Sequence, residues 1–190
     1  YYNKTKRVLI GLTFTKPKGS KMKFGLIGKR LNYSYSKIIH NKFGYDYDIH
    51  EVPEDEFKSF IYNSDLDGYN VTVPYKAEVI KYLDYIEPRA KAIGSVNTVI
   101  VKGGKRYGYN TDYYGFMNTL LKAKAKGLDF NGKTALVFSP VATSKTAKYA
   151  LETLGAKVFV AGRTSKINYD NVYSLFGSSA GILVNATPVG

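Results

Sequence analysis

From Met22 onward, short β-branched or aliphatic runs alternate with segments whose apolar residues recur at helical spacing, and this alternation constrains the fold more than any other feature. Phe24 to Gly28 reads as a buried strand, Ser36 to Phe43 as a short helix carrying Ile38, Ile39 and Phe43, and Tyr45 to Val52 as an alternating strand. Pro53-Glu54-Asp55-Glu56 then opens a helix with Phe57, Phe60 and Ile61 on its apolar side, its acids suiting the positive end of the helix dipole. Leu66 to Val73 is the next strand. Strand, helix, strand, helix, strand implies an α/β fold with a mostly parallel sheet and helices on its faces.

The same rhythm restarts after a Lys, Ala and Gly-rich stretch from Lys122 to Asn131, where we place a domain boundary. Thr134 to Phe138 is a buried strand and Ser144 to Leu154 a helix with Ala147, Ala150, Leu151 and Leu154 inward. Gly155 is its C-cap and Val158 to Ala161 the following strand. That βαβ unit is half of a mononucleotide-binding fold, so the second domain is Rossmann-like. Tyr169 to Phe176 adds a short helix and Ile182 to Asn185 a third strand. The expected division is an extension or linker over 1–21, a first domain over 22–121 and a second over 122–190.

Within the first domain, Gly68-Tyr69-Asn70-Val71-Thr72-Val73-Pro74-Tyr75-Lys76 delivers a strand, a proline stop and a lysine in succession. Pro74 denies the ladder a donor, and Val79, Ile80, Leu83 and Ile86 behind it recur at helical spacing. Lys76 is therefore expected where a strand end meets a helix start, the usual place for a site residue in an open α/β sheet. Further on, Val96 to Val101 and Arg106 to Tyr109 form a hairpin around Gly103-Gly104. Asn110-Thr111-Asp112 follows at its exit, before a helix bearing Phe116, Leu120 and Leu121. Three successive capping-type residues, one of them ionisable, exceed what a helix start needs.

Composition narrows the function. A net charge of +13 favours anionic partners, yet the lysines are scattered, and no RNP, zinc-finger or helix-turn-helix pattern accompanies the 18 tyrosines. Small acids fit this better than a specific nucleic acid. The absence of cysteine excludes disulfides and thiol chemistry, and the two histidines leave little for a zinc site. The basic start Lys4-Thr5-Lys6-Arg7 precedes too short an apolar run for a signal peptide, and no run is long enough to span a membrane. A cytoplasmic location is expected.

The motifs resemble those of the shikimate dehydrogenases, NADP-dependent enzymes of aromatic amino-acid biosynthesis. The resemblance runs from about Met22 to Gly190. It rests on Ile27-Gly28 leading to Asn32-Tyr33-Ser34-Tyr35-Ser36 and His40-Asn41; the stretch from Gly68 to Lys76; Gly94-Ser95-Val96-Asn97-Thr98; Gly108-Tyr109-Asn110-Thr111-Asp112; and Asn185-Ala186-Thr187-Pro188-Val189-Gly190. It implies that Lys76 and Asp112 are the catalytic pair. Ser34, Ser36, Thr72 and Asn97 would hold the carboxylate and ring hydroxyls of 3-dehydroshikimate or shikimate, with quinate a subordinate substrate. Hydride reduction of a ketone creates an alkoxide that needs a proton, and a lysine oriented by a carboxylate can deliver one. Taken singly, Ser34 and Ser36 serve equally as helix caps, Thr72 as a strand residue and Asn97 as a turn former.

The cofactor implied is NADP (NADPH). After the second strand of the nucleotide fold, Gly162-Arg163-Thr164-Ser165-Lys166 replaces the carboxylate of an NAD enzyme, and Arg163, Thr164 and Lys166 suit a 2′-phosphate. The family's glycine-rich turn, G-x-G-G-x-S, instead reads Ser139-Pro140-Val141-Ala142-Thr143-Ser144. Glycines there permit positive φ and close approach of the pyrophosphate; Val141 resists both and Pro140 lacks a donor. Ser139, Thr143 and Ser144 still offer hydroxyls. Family members also continue beyond the last motif, so the second domain is expected to be C-terminally truncated, with an unpaired sheet edge and an uncovered apolar face. Two functions follow: a working NADP-dependent shikimate dehydrogenase, or an impaired relative that binds shikimate-like acids but holds cofactor weakly.

Overall fold

The computed structural model describes residues 21–31, 34–139 and 142–187, together with two short strands, β1 (Val8–Leu9) and β2 (Leu12–Thr13), paired antiparallel. Pro140 and Val141 of the altered turn lie outside the described residues.

The expected strand and helix alternation is present as β3 (Lys23–Gly28), α1 (Ser36–Lys42), β4 (Asp46–Glu51), α2 (Phe57–Asn63) and β5 (Gly68–Val71). Both β4 and β5 lie parallel to β3, so Phe24 stands opposite Tyr47 on one side and Gly68 on the other. Helix α2 buries Phe57 and Ile61 at 1% exposure each. Each such side chain contributes roughly 1.5–3 kcal/mol. Helix α1 differs from its expected role, because Ile38, Ile39 and Phe43 remain at least half exposed.

The segment behind Pro74 departs from the helix expected there. β5 ends at Val71, Thr72 to Ala77 forms turns, and a 3₁₀ helix runs only from Glu78 to Tyr82. The helical spacing breaks because Leu83 turns extended, with ψ 140°, and the chain must reach the sheet edge as β6 (Tyr85–Ile86). There Asp84 N–H donates to the Arg106 carbonyl at 3.0 Å and its carboxylate accepts from Arg106 N–H at 2.7 Å. A helix not foreseen follows, α3 (Pro88–Ile93), capped by the Glu87 carboxylate on Ala90 N–H at 3.0 Å and closed by Gly94 at φ 68°. Proline at the first turn and glycine just past the end were its available signals.

The hairpin is as expected: β7 (Thr98–Lys102) and β8 (Lys105–Tyr109) are joined by Gly103 and Gly104, both at positive φ. The first sheet has the order β4-β3-β5-β7-β8-β6, and β7 alone runs against the rest. The long helix α4 (Thr111–Ala125) then leads to the second sheet. That sheet comprises β9 (Thr134–Phe138), β10 (Lys157–Ala161) and β11 (Ala180–Asn185), parallel in the order β10-β9-β11. Helices α5 (Ala142–Thr153) and α6 (Val172–Phe176) fill its connections. Because β10 and β11 flank β9 on opposite sides, a topological switch point lies at the carboxyl ends of β9 and β11.

Two cores result. One is built on Ile27, Phe57, Val71, Val79, Val96 and Val99; the other joins Ile93 of α3 and Tyr113 and Leu120 of α4 to Val137 of β9 and Leu151 of α5. The second sheet is covered unevenly. Ala135, Val137 and Ile182 are buried, whereas Leu183 of β11 is 66% exposed. No helix among the described residues is long and apolar enough to cross a membrane.

Candidate active site

The turn after β5 is held by its own tyrosine. Tyr75 is buried, stacks on Phe57 at 4.0 Å between ring centroids, and donates its hydroxyl to the Val52 carbonyl at 2.5 Å. Its N–H bonds the Thr72 carbonyl and its own carbonyl accepts from Val79 N–H, both at 2.9 Å. The neighbouring Lys76 carbonyl accepts from Val96 N–H at 2.8 Å. Anchored on both sides, Lys76 projects a mostly buried side chain whose Nζ donates to Asp112 Oδ2 at 2.7 Å; the lysine is 13% and the aspartate 40% exposed. Among the described ion pairs this is the most enclosed.

Asp112 sits in the first turn of α4, where Asn110 is the N-cap and accepts from Tyr113 N–H at 3.0 Å. Asn97 is 7% exposed, and its Oδ1 accepts from Thr111 N–H at 2.8 Å and from the hydroxyls of Thr111 at 3.1 Å and Thr98 at 3.2 Å. Its carbonyl oxygen is therefore committed to scaffolding, leaving the amide Nδ2 as the group with hydrogen-bonding capacity for a ligand. Val71 N–H bonds the Asn97 carbonyl at 2.9 Å, so Asn97 abuts the end of the strand that carries Thr72.

Ser34, Ser36 and Thr72 line one cleft of about 410 Å³ with Leu26, Arg30 and Leu31. The capping chemistry is also present, since Ser34 Oγ accepts from Ser36 N–H at 3.2 Å. The Tyr47 hydroxyl donates to Asn70 Oδ1 at 2.9 Å, while Asn70 Nδ2 donates to Thr98 Oγ1 at 3.2 Å. A continuous polar chain thus crosses the sheet from Tyr47 to Thr98 and Asn97. His40 stacks flat on Tyr47 at 4.1 Å, and burial holds its imidazole below the ordinary value.

On the second sheet, Ser139 follows β9 with φ 144°, a conformation that favours glycine, and it is buried. Its N–H is taken by the Ala161 carbonyl at 3.0 Å. Thr143 is exposed in the first turn of α5, whereas Ser144 is buried and faces inward. The loop after β10 closes on itself through Gly162 N–H to the Ile167 carbonyl at 3.1 Å and leaves Arg163, Thr164 and Lys166 exposed. Cations and a hydroxyl displayed together fit a phosphate monoester. The turn end fits an NADP pyrophosphate less well: the backbone conformation suits glycine, but a side chain occupies it.

A family model for the shikimate dehydrogenase substrate-binding domain matches residues 26–99. The NADP(+) shikimate dehydrogenase of Clostridium beijerinckii is 34% identical over 189 residues, covering 88% of this chain and 68% of that protein. The chain belongs to the shikimate dehydrogenase family. The enzyme of the same name from Clostridium perfringens is 42% identical over 147 residues, which are 72% of this chain and 53% of that enzyme. The chain therefore spans about half the length of the Clostridium perfringens relative. Among solved structures, shikimate dehydrogenase 1 of Peptoclostridium difficile superimposes with a TM-score of 0.76 at 34% identity, covering 89% of this chain and 67% of that one.

Within this family fold, Lys76, Asp112 and Asn97 are joined through Thr111 and the start of α4, while Ser34, Ser36 and Thr72 share a cleft whose lining includes none of those three. Residues of the nucleotide side fall at the carboxyl ends of β9 and β10, and Val141 among them lies outside the described residues. Sequence reasoning singled out Asn110 and Thr111 only as an over-supplied helix start, without partners, and gave no role to Arg30, Tyr47, Asn70 and Thr98. Most are polar residues in strands or caps, and periodicity reports which face a residue is on but not its hydrogen-bond partner.

Proposed function

We propose that the chain reduces 3-dehydroshikimate to shikimate with NADPH, in the cytoplasm, residues 22–121 forming the substrate half and 122–190 the nucleotide half. The enclosed Lys76–Asp112 pair carries this reading, with the hydroxyl-lined cleft that includes Thr72, four residues before Lys76, in support. Ser34, Ser36 and Thr72 bind the substrate's carboxylate and hydroxyls, and Arg30 in the same cleft supplies countercharge without which three hydroxyls would face an anion alone. Asn97 Nδ2 donates to a ring hydroxyl. Bound NADPH supplies the hydride. Lys76 gives a proton to the oxygen of the former carbonyl as its carbon becomes tetrahedral, and in the reverse direction takes it back. Asp112 fixes the lysine and accepts from a substrate hydroxyl. Arg163, Thr164 and Lys166 hold the 2′-phosphate, and Thr143 meets the diphosphate at the start of α5.

A second reading is favoured by Ser139: a relative that binds shikimate-like acids but little cofactor, because a serine at φ 144° stands where a glycine turn would admit the diphosphate. Following nicotinamide absorbance on mixing protein, NADPH and 3-dehydroshikimate separates the two. Turnover supports the dehydrogenase; no turnover, with shikimate still bound in calorimetry, supports the impaired relative.

A further inference from the structure

Asn110 makes more bonds than a helix cap requires. Capping α4 uses its Oδ1 alone, and serine or aspartate would supply that oxygen as well. Its Nδ2, however, donates both hydrogens, to the Ser95 carbonyl at 3.0 Å and to Thr146 Oγ1 at 3.1 Å, in a site where Asn110 is 1% and Thr146 2% exposed. An aspartate could not do this, since it would turn an acceptor toward the Ser95 carbonyl oxygen. The three segments so joined have separate duties. Ser95 precedes Val96, whose N–H holds the Lys76 carbonyl at 2.8 Å. The capped helix start carries Thr111, bonded to Asn97, and Asp112, bonded to Lys76. Thr146 belongs to α5, which follows the nucleotide turn and otherwise faces inward with Ala147, Ala150 and Leu151.

A hydroxyl buried among those residues is costly unless bonded, and Asn110 is the partner that Thr146 has across the boundary between the two cores. We infer that Asn110 is a positioning residue through which helix α5 of the nucleotide half sets the placement of the Lys76–Asp112 pair in the substrate half. The inference rests on the dehydrogenase reading above. It makes a residue outside the substrate cleft a determinant of substrate affinity.

The test uses the full chain and calorimetric titration with shikimate, without cofactor. Thr146→Val removes the hydroxyl at nearly constant volume, and Thr146→Ser keeps it. Coupling of the size usual for bonded neighbours predicts that Thr146→Val weakens shikimate binding by about three- to tenfold, with Thr146→Ser within about twofold of the parent. Asn110→Ser retains a capping oxygen and loses both donors, so it should weaken binding at least as much, and adding Thr146→Val to it should do nothing further. In an Asp112→Asn background the effect of Thr146→Val should vanish, which a merely structural role would not produce. Thermal unfolding identifies which variants are folded at the titration temperature. Parent-like affinity in folded Thr146→Val, additive losses in the double variant, or a loss that persists without Asp112 would overturn the inference. A parent chain with no affinity for shikimate would overturn the dehydrogenase reading, and this inference with it, a result distinct from parent-like affinity in Thr146→Val.

Discussion

Asn97 shows how one side chain divides between scaffold and ligand. Its Oδ1 receives three hydrogen bonds, including Thr111 N–H at 2.8 Å, which leaves its Nδ2 as the group proposed to bind substrate. Asn97→Ala should therefore lose on both counts. Orphaned buried donors cost about 1–3 kcal/mol, a drop of roughly 2–12 °C in melting temperature for a chain this size, and calorimetry should show weaker shikimate binding. An unchanged melting temperature would place the Thr111 bonds among the dispensable ones. His40 gives a pH effect of definite sign. Burial lowers its folded value below 6.5, so the folded state resists protonation that the unfolded chain accepts. Its contribution is complete above pH 6.5 and is lost as pH falls through the lowered folded value. Because the ring is only partly enclosed, the effect is modest. The melting temperature of the parent should fall further between neutral and mildly acidic pH than that of His40→Phe; equal falls would show that His40 titrates normally.

At the level of elements, the turn from Thr72 to Lys76 depends on Tyr75. Removing only its hydroxyl with Tyr75→Phe keeps the stack on Phe57 and should cost about 1 kcal/mol. Tyr75→Ala empties the site at about 3–5 kcal/mol and should depress kcat beyond the Phe variant, since Lys76 loses its neighbour's anchor. Denaturant unfolding and steady-state rates check both; equal rates in the two variants would detach Lys76 placement from Tyr75. Ser139→Gly should relieve backbone strain of about 1–3 kcal/mol and tighten NADPH in a fluorescence titration. Unaltered NADPH affinity would mean the limiting obstacle is elsewhere. The elements themselves were legible where patterns are local: the two-glycine hairpin, the βαβ unit and the C-cap at Gly155. Those that failed depended on distant partners. Leu83 and Ile86 match a helix, yet Arg106 on β8 captures Asp84 and draws the segment into an edge strand. Lys76 and Asp112 were legible as a pair only through the family motifs, because nothing local joins residues on different elements. The Tyr47, Asn70, Thr98 and Asn97 chain runs across strands and left no periodic trace.

Across the whole molecule, charge and coverage matter most. With a net charge of +13, encounter with an anionic substrate is favoured at a distance, so kcat/KM should fall with added salt more than kcat does. A salt-independent kcat/KM would confine recognition to the cleft. The second sheet presents Leu183 at 66% exposure and shares its core with α4 and α5. Asn110 bonds the Ser95 carbonyl, Thr146 of α5 and the first turn of α4, so the segments around Lys76 and Asp112 and helix α5 share one hydrogen-bonded junction. In the proposed reaction Lys76 transfers the proton while the cleft of Ser34, Ser36 and Thr72 binds the acid. The most direct measurement of that division compares the parent with Lys76→Met in NADPH-dependent reduction of 3-dehydroshikimate, alongside shikimate calorimetry on both. We expect the rate to fall by about 10²–10⁴-fold with shikimate affinity changed only a few-fold. Equal rates in the two chains, or a parent that turns over no dehydroshikimate and binds no shikimate, would contradict the account.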